Sequence, residues 1–251
     1  MNRVRTMVTT LVLLGVGLSQ ATAPANPDVI ETGRLLAVLL DSGRVTIGAN
    51  LPLINDPTKG NKGFTPEVFE RQLIASFKQR TGIDLADLKN AQVPERARPM
   101  LAQLVEESKK TVASYQATIN IQGVKYKGLI PATFGTEAAA RFQRWSGIYL
   151  KQTAPDQLLR NPKNKADEFE AAAFRKFADP SYPRVGENIL SETVEDGRAV
   201  RVLLPLFLGK ACLSCHGEPK GERDISGYPK EGGKEGDLGG AISVKLNLKE
   251  R

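Results

Sequence analysis

Strict alternation of apolar and polar residues near the carboxyl end constrains the fold of this sequence more than any other feature. The apolar positions are Ile242, Val244, Leu246 and Leu248, and the polar positions between and after them are Ser243, Lys245, Asn247 and Lys249. A period of two predicts a β-strand that buries one face. The chain must therefore supply other elements to cover that face.

Two more strands are predicted upstream, on either side of a tight turn. Residues 188–194 and 198–208 flank Glu195-Asp196-Gly197, where glycine supplies the positive φ that such turns need. The second strand is nearly continuous apolar sequence, which is typical of a buried strand. Pro205 within it predicts either an edge position or a bulge, because proline cannot donate to a strand partner.

Helical signals dominate the first half of the chain. Thr65 as N-cap and Pro66 at the first helical position begin a helix that Gly82 ends. Pro99 opens a longer helix in which apolar residues recur at steps of three and four. Further helices are predicted over residues 32–40, from Gly135 to Gly147 and over 164–177, with a strand over 148–153 and a tether over 24–30.

Helices thus come first and an antiparallel sheet follows. This order predicts an α+β protein in which a helical N-terminal half packs on an antiparallel sheet. We expect an N-terminal helical segment over residues 24–98 and a second, sheet-bearing domain over residues 99–251.

The first 23 residues have the pattern of a secretory signal peptide. Arg3 and Arg5 precede an apolar run over residues 7–18, and the small-residue site Ala21-Thr22-Ala23 follows. An uncleaved anchor is the alternative, but the Ala-x-Ala site favours cleavage and the run is short for a bilayer. We therefore expect a periplasmic protein with no stable membrane span after cleavage.

The charge balance argues against a nucleic-acid partner. The chain has 35 Lys and Arg against 28 Asp and Glu, a net charge of +7. This surplus is spread along the sequence without a dense basic run, which is typical of a solvated surface. Export makes nucleic acid a still poorer candidate.

The only two cysteines and the only histidine of the chain fall within five positions, Cys212-Leu213-Ser214-Cys215-His216. Two thiols at this spacing can add to the two vinyl groups of one haem, and a histidine directly after them is placed to bind the iron. We predict one covalently attached haem c, with Cys212 and Cys215 as attachments and His216 as the proximal axial ligand. Export is consistent with this prediction, because c-type haem is attached outside the cytoplasm.

Three other uses of the motif are less favoured. A thioredoxin-type dithiol follows a strand and starts a helix in a parallel α/β fold, which the predicted sheet does not offer. A disulfide between Cys212 and Cys215 would be strained, and a zinc site would lack a second ligand pair. A haem enzyme such as a peroxidase would lack a second histidine as acid or base, so we expect no enzymatic activity.

The sixth iron ligand stays open at this stage. No second histidine exists, and after signal removal Met100 is the only methionine, on a helix where it can equally be a core residue. Lysine, tyrosine, water or an empty position are the other options. An empty position would let the iron bind a small gas, whereas a strong ligand would favour electron transfer.

Glycine is frequent in the segment that follows the motif, between residues 217 and 240. Such a loop can bring its backbone close to a flat surface such as a haem edge, or it can be a plain solvated loop. Lys220, Arg223 and Lys230 are candidates to contact the haem propionates.

Four stretches together resemble the single-haem c-type family with a PAS-like domain, long known as a domain of unknown function. They are Arg160 to Asn164, the turn Glu195 to Arg198, Cys212 to Pro219, and Gly236 to Val244. The resemblance covers roughly residues 99 to 249. Members of that family occur as free exported proteins and as extracytoplasmic input domains of histidine kinases and chemoreceptors, and they are regarded as redox or gas sensors.

The resemblance implies a PAS-like antiparallel sheet, thioether attachment at Cys212 and Cys215, and His216 as the proximal ligand. A member of that family can use an additional cysteine as distal ligand, and this chain has none to spare. The leading expectation is an exported redox or small-gas haem sensor that signals through a separate partner. The alternative is a periplasmic electron-transfer cytochrome c with a redox partner protein.

Overall fold

The computed structural model describes residues 26–184 and 186–248, so the predicted signal peptide lies outside the described residues. The helices are α1 Pro27–Ile54, α2 Pro66–Thr81, α3 Ala97–Ser114, α4 Gln116–Ile119, α5 Pro131–Ser146, α6 Glu168–Ala178 and α7 Leu213–His216. The strands are β1 Tyr149–Thr153, β2 Leu190–Val194, β3 Ala199–Phe207 and β4 Leu238–Asn247. None of the helices within this part of the chain is long and apolar enough to cross a bilayer.

The four strands form one antiparallel sheet in the order β1-β4-β3-β2. Its apolar face, which includes Val202, Val244 and Leu246, belongs to the main core together with α1, α2, α3 and α5. Helix α6 covers the other face through Phe174 and Phe177. The predicted α+β class and the helical N-terminal part packed on an antiparallel sheet are thus confirmed.

Helix α1 is longer than the sequence pattern indicates. It has 28 residues, begins at Pro27 inside the predicted tether and runs well past residue 40. The Asn26 side chain caps it by accepting from the Asp28 N–H at 2.9 Å. Residues 35–40 are all buried, so no polar face marks the helical period. Gly43 and Gly48 lie inside the helix, although glycine usually weakens one.

The predicted α2 is confirmed at both ends. The Thr65 hydroxyl caps the helix, Pro66 is its first residue, and Gly82 ends it in the left-handed conformation with φ 74°. Helix α3 begins at Ala97, two residues before Pro99, and its predicted apolar stripe is buried. The two ends of α2 were predictable because they rest on local capping chemistry.

Two helix starts were placed wrongly. Helix α5 begins at Pro131, and Gly135 is an interior residue whose Cα packs closely against Gln152. Near the end of this helix, Trp145 is 52% exposed. Helix α6 begins after Asp167, which forms a capping box with Glu170, rather than near residue 164.

The hairpin between β2 and β3 is confirmed at the predicted turn. Glu195 and Asp196 share the left-handed conformation with Gly197, at φ 55°, 54° and 83°. Pro205 lies in β3 beyond Leu203, which is the last residue paired with β2. The missing N–H of proline therefore costs no hydrogen bond to β2. A register shift follows at Leu206 and Phe207. The expectation of an edge or a bulge is therefore met locally.

Candidate functional site

Strand β3 leads directly into the Cys-x-x-Cys-His segment. After Leu208, a 3₁₀ turn over Lys210–Cys212 continues into α7, which ends at His216. Cys212 has helical backbone angles, and side chains three positions apart on a helix lie on the same face. Both thiols are free and half-buried. The structure therefore brings the three predicted residues together in one turn.

The Cys215 thiol is less acidic than a free thiol. Burial raises its pKa and the nearby Asp224 charge adds to this, against an opposing hydrogen bond from Ser214. The antiparallel sheet disfavours the thioredoxin-type alternative, because that motif starts a helix in a parallel α/β fold.

His216 is held through one ring nitrogen. Its Nδ1 lies 2.8 Å from Glu231 Oε2, and the ring is 27% exposed. A carboxylate at this distance favours the tautomer with a proton on Nδ1, which keeps the lone pair on Nε2. Histidine ligands of metals are oriented in this way by a carboxylate or carbonyl on the other nitrogen. The arrangement fits an axial ligand to haem iron.

Arg160 links the motif to the loop that follows it. Its guanidinium donates to Glu231 Oε1 at 2.9 Å, to Asp224 Oδ2 at 2.6 Å and to the Cys215 carbonyl at 2.9 Å. It also lies over the Tyr228 ring, 5.2 Å from its centroid. Burial alone would lower the Arg160 pKa, but the two carboxylates outweigh it and raise that pKa. Arg160 is therefore a permanent cation at this site.

Glycines hold the loop backbone against the motif. The Gly233 N–H donates to the His216 carbonyl at 2.6 Å, and the Gly232 N–H donates to the Gly217 carbonyl at 3.2 Å. A Cβ at Gly233 would lie 2.8 Å from Leu208 Cδ1, and one at Gly217 would lie 2.6 Å from the Leu213 carbonyl oxygen. At these positions the surface that the glycines approach is the motif itself.

Tyr126, in the loop before α5, belongs to the same neighbourhood. Its phenol pKa is raised by burial first and then by the charges of Asp224 and Cys215, against a smaller opposing effect of Arg160. A cleft of about 540 Å³ lies beside Arg160 and Glu231 and is also lined by Lys220 and Tyr228. Neither cysteine nor His216 lines this cleft, so it borders the pair that holds His216 rather than the motif.

Met100 lies near the opposite end of the sheet from the motif. It packs on the main core, one helical turn after Arg96, whose guanidinium reaches the Asn247 carbonyl at 3.4 Å. Asn247 pairs with Ala199 at the start of β3, whereas the motif follows the end of that strand. A nine-residue strand is roughly 25 Å long. The structure therefore does not bring Met100 to His216.

Two of the cations considered for propionate contact already have partners. Lys230 pairs with Glu222 at 2.8 Å, and Arg223 donates to the Gly227 carbonyl at 2.6 Å. Lys220 is exposed and lines the cleft.

Sequence reasoning missed Glu231 and the role of Arg160. Glu231 lies 15 residues after His216, inside a glycine-rich loop, and Arg160 lies 56 residues before His216. No helical or strand period connects such positions, so only the folded loop shows that they meet.

Comparison with known proteins gives one family and one solved structure. The family model described as Tll0287-like matches residues 89–247, which include the motif, Arg160 and Glu231. The crystal structure of the cyanobacterial heme-protein Tll0287 is similar with a TM-score of 0.42 and 16% identity, over 62% of this chain and 95% of that chain. A search of curated proteins found no match.

Proposed function

The chain belongs to the Tll0287-like family, and from that premise we propose that it is an exported protein with one covalent haem c that senses redox state or a small gas. Tll0287 itself is described as a cyanobacterial heme-protein. The observation that carries the proposal is the turn of two free thiols and a histidine whose Nδ1 is held by Glu231.

The chemistry of attachment uses residues of this turn alone. At Cys212 and Cys215 each thiol would add across one vinyl group, so that its sulfur would bond to one vinyl carbon and the thiol hydrogen would end on the other. No oxidant is consumed. When bound, the haem supplies an iron that changes oxidation state and can take a sixth ligand.

Sensing is supported by the shortage of strong ligands for a sixth position. The sequence has no second histidine and no third cysteine, and Met100 packs near the opposite end of the sheet. An iron bound to His216 alone would be open to a small diatomic molecule. A sensor of this kind would pass its signal to a separate partner protein.

Electron transfer is the second candidate function, and a different observation favours it. The thiols of Cys212 and Cys215 are half-buried and His216 is partly exposed, so a haem attached here would have an edge near the surface. A redox partner protein could approach that edge.

Gas binding distinguishes the two functions. We expect the reduced holoprotein to bind carbon monoxide and nitric oxide rapidly, with a changed Soret spectrum, because no strong sixth ligand must leave. Met100→Leu is the matched control and should leave both the spectrum and the binding rate unchanged. A low-spin iron that ignores both gases but exchanges electrons quickly with a small redox protein would favour electron transfer instead.

A further inference from the structure

The carboxylate of Glu231 is shared between two donors. Its Oε2 accepts from His216 Nδ1 at 2.8 Å and from Arg160 Nη2 at 3.1 Å, while its Oε1 accepts from Arg160 Nε at 2.9 Å. The guanidinium therefore donates to both oxygens of Glu231, and it shares Oε2 with the His216 ring. Bidentate pairs of this kind fix orientation as well as adding binding energy.

Arg160 is itself fixed by contacts that do not involve Glu231. Its Nη1 donates to the fully buried carboxylate of Asp224, its Nη2 to the Cys215 carbonyl, and its plane lies over Tyr228. The guanidinium is only 17% exposed. It therefore holds Glu231 at a set position relative to α7 rather than following that carboxylate as a mobile side chain would.

The two charges act on His216 in opposite directions. A carboxylate that accepts from Nδ1 raises the basicity of the ring and favours the more highly charged metal ion. A cation on the same carboxylate withdraws some of its negative charge and weakens that effect. The strength with which His216 donates electron density is then a balance between Glu231 and Arg160.

We propose that Arg160 is a positioning residue that acts on His216 through Glu231, and that this pair sets the reduction potential of the iron bound to His216. The inference rests on the proposed haem function. Glu231 and Arg160 then have opposite effects on the reduction potential, whereas the two partners of a purely structural ion pair would have the same effect when removed. Glu231 lowers the potential, and Arg160 limits how far it falls.

The test is redox titration of the holoprotein and of two charge-removing variants. Glu231→Gln should lower the ratio of oxidised to reduced protein at a fixed solution potential, and Arg160→Gln should raise it. We expect each shift to be about threefold to tenfold, where tenfold corresponds to about 59 mV for one electron. Loosening of the loop would move both variants in the same direction, so opposite shifts exclude a merely structural role.

Matched controls remove one negative and one positive charge from exposed positions of the loop that follows the motif. Glu222→Gln and Lys234→Gln change exposed side chains and should shift the ratio by less than about twofold, because solvent screens them. Arg160→Lys keeps the charge but loses the planar fork, so its potential should lie between those of the wild type and Arg160→Gln. It also carries the test if Arg160→Gln does not accumulate.

Haem content is measured first, by the absorbance of denatured protein. Wild-type protein without covalent haem would overturn the proposed function and this inference together. Covalent haem with both site variants shifting in one direction, or with neither exceeding the controls, would overturn the inference alone. Lower iron–histidine stretching frequency in Glu231→Gln, seen by resonance Raman spectroscopy, is the expected second sign.

Discussion

Arg201 shows how much one buried cation contributes to the sheet. From β3 its guanidinium donates to Asp167 at 3.0 Å, to Glu170 at 3.0 Å and to Ser243 at 2.8 Å. It lies between the rings of Tyr149 and Phe169, 4.9 and 5.0 Å from their centroids. Glu170 is fully buried, and Arg201 and Lys151 are the cations that pair with its carboxylate. Around Arg201 of β3 and Ser243 of β4, this face of the sheet is thus a buried ion cluster under α6 rather than a solvated surface.

Replacing Arg201 should therefore destabilise the protein strongly. We expect Arg201→Met to lower the free energy of unfolding by about 3–5 kcal/mol, because it leaves the buried Glu170 short of a charge partner. Urea denaturation measures this difference.

Lys245→Met is the matched control for Arg201→Met. Lys245 lies directly opposite Arg201 on β4, but it pairs with Glu195 at the surface. Its loss should change stability by about 1 kcal/mol at most. Equal effects of the two substitutions would contradict the buried-cluster interpretation.

At the scale of elements, both ends of α2 were predictable, whereas only residues 32–40 of the buried helix α1 were. Thr65, Pro66 and Gly82 bound α2 by local chemistry, so sequence alone places both of its ends. Helix α1 lies among the sheet and the other helices, and its burial removes the amphipathic pattern. Its glycines resemble helix breakers in the sequence, but Gly33 and Gly43 are points of close contact in the fold.

Two glycines of α1 give a direct test of that interpretation. A Cβ at Gly43 would lie 2.6 Å from Phe134 Cζ, whereas one at Gly48 would approach nothing closer than 3.6 Å. We expect Gly43→Ala to destabilise the protein by about 1–3 kcal/mol through overpacking. Gly48→Ala should be neutral or stabilise it by up to about 1 kcal/mol, because alanine is the better helix former. Thermal unfolding of both variants measures these changes in stability. An increase in the stability of Gly43→Ala would contradict the close packing at Gly43.

At the scale of the whole molecule, the fold assembles the candidate site from three distant segments. Cys212, Cys215 and His216 lie within five positions, so the prediction of a haem site there needs only their spacing. Arg160 and Glu231 reach the motif only because β1 and β3 both pair with β4, which brings the segments after them to one end of the sheet. Strand order of this kind depends on tertiary packing that no local pattern encodes.

One haem attached through Cys212 and Cys215, with His216 as its axial ligand, is the proposal on which the function rests. It is tested by the intact mass and absorbance of denatured protein, purified from cells that assemble c-type haem proteins. The wild type should keep one haem through denaturation, and the Cys212→Ser, Cys215→Ser double variant should keep none. A wild type free of covalent haem, or a double variant that retains it, would contradict the claim.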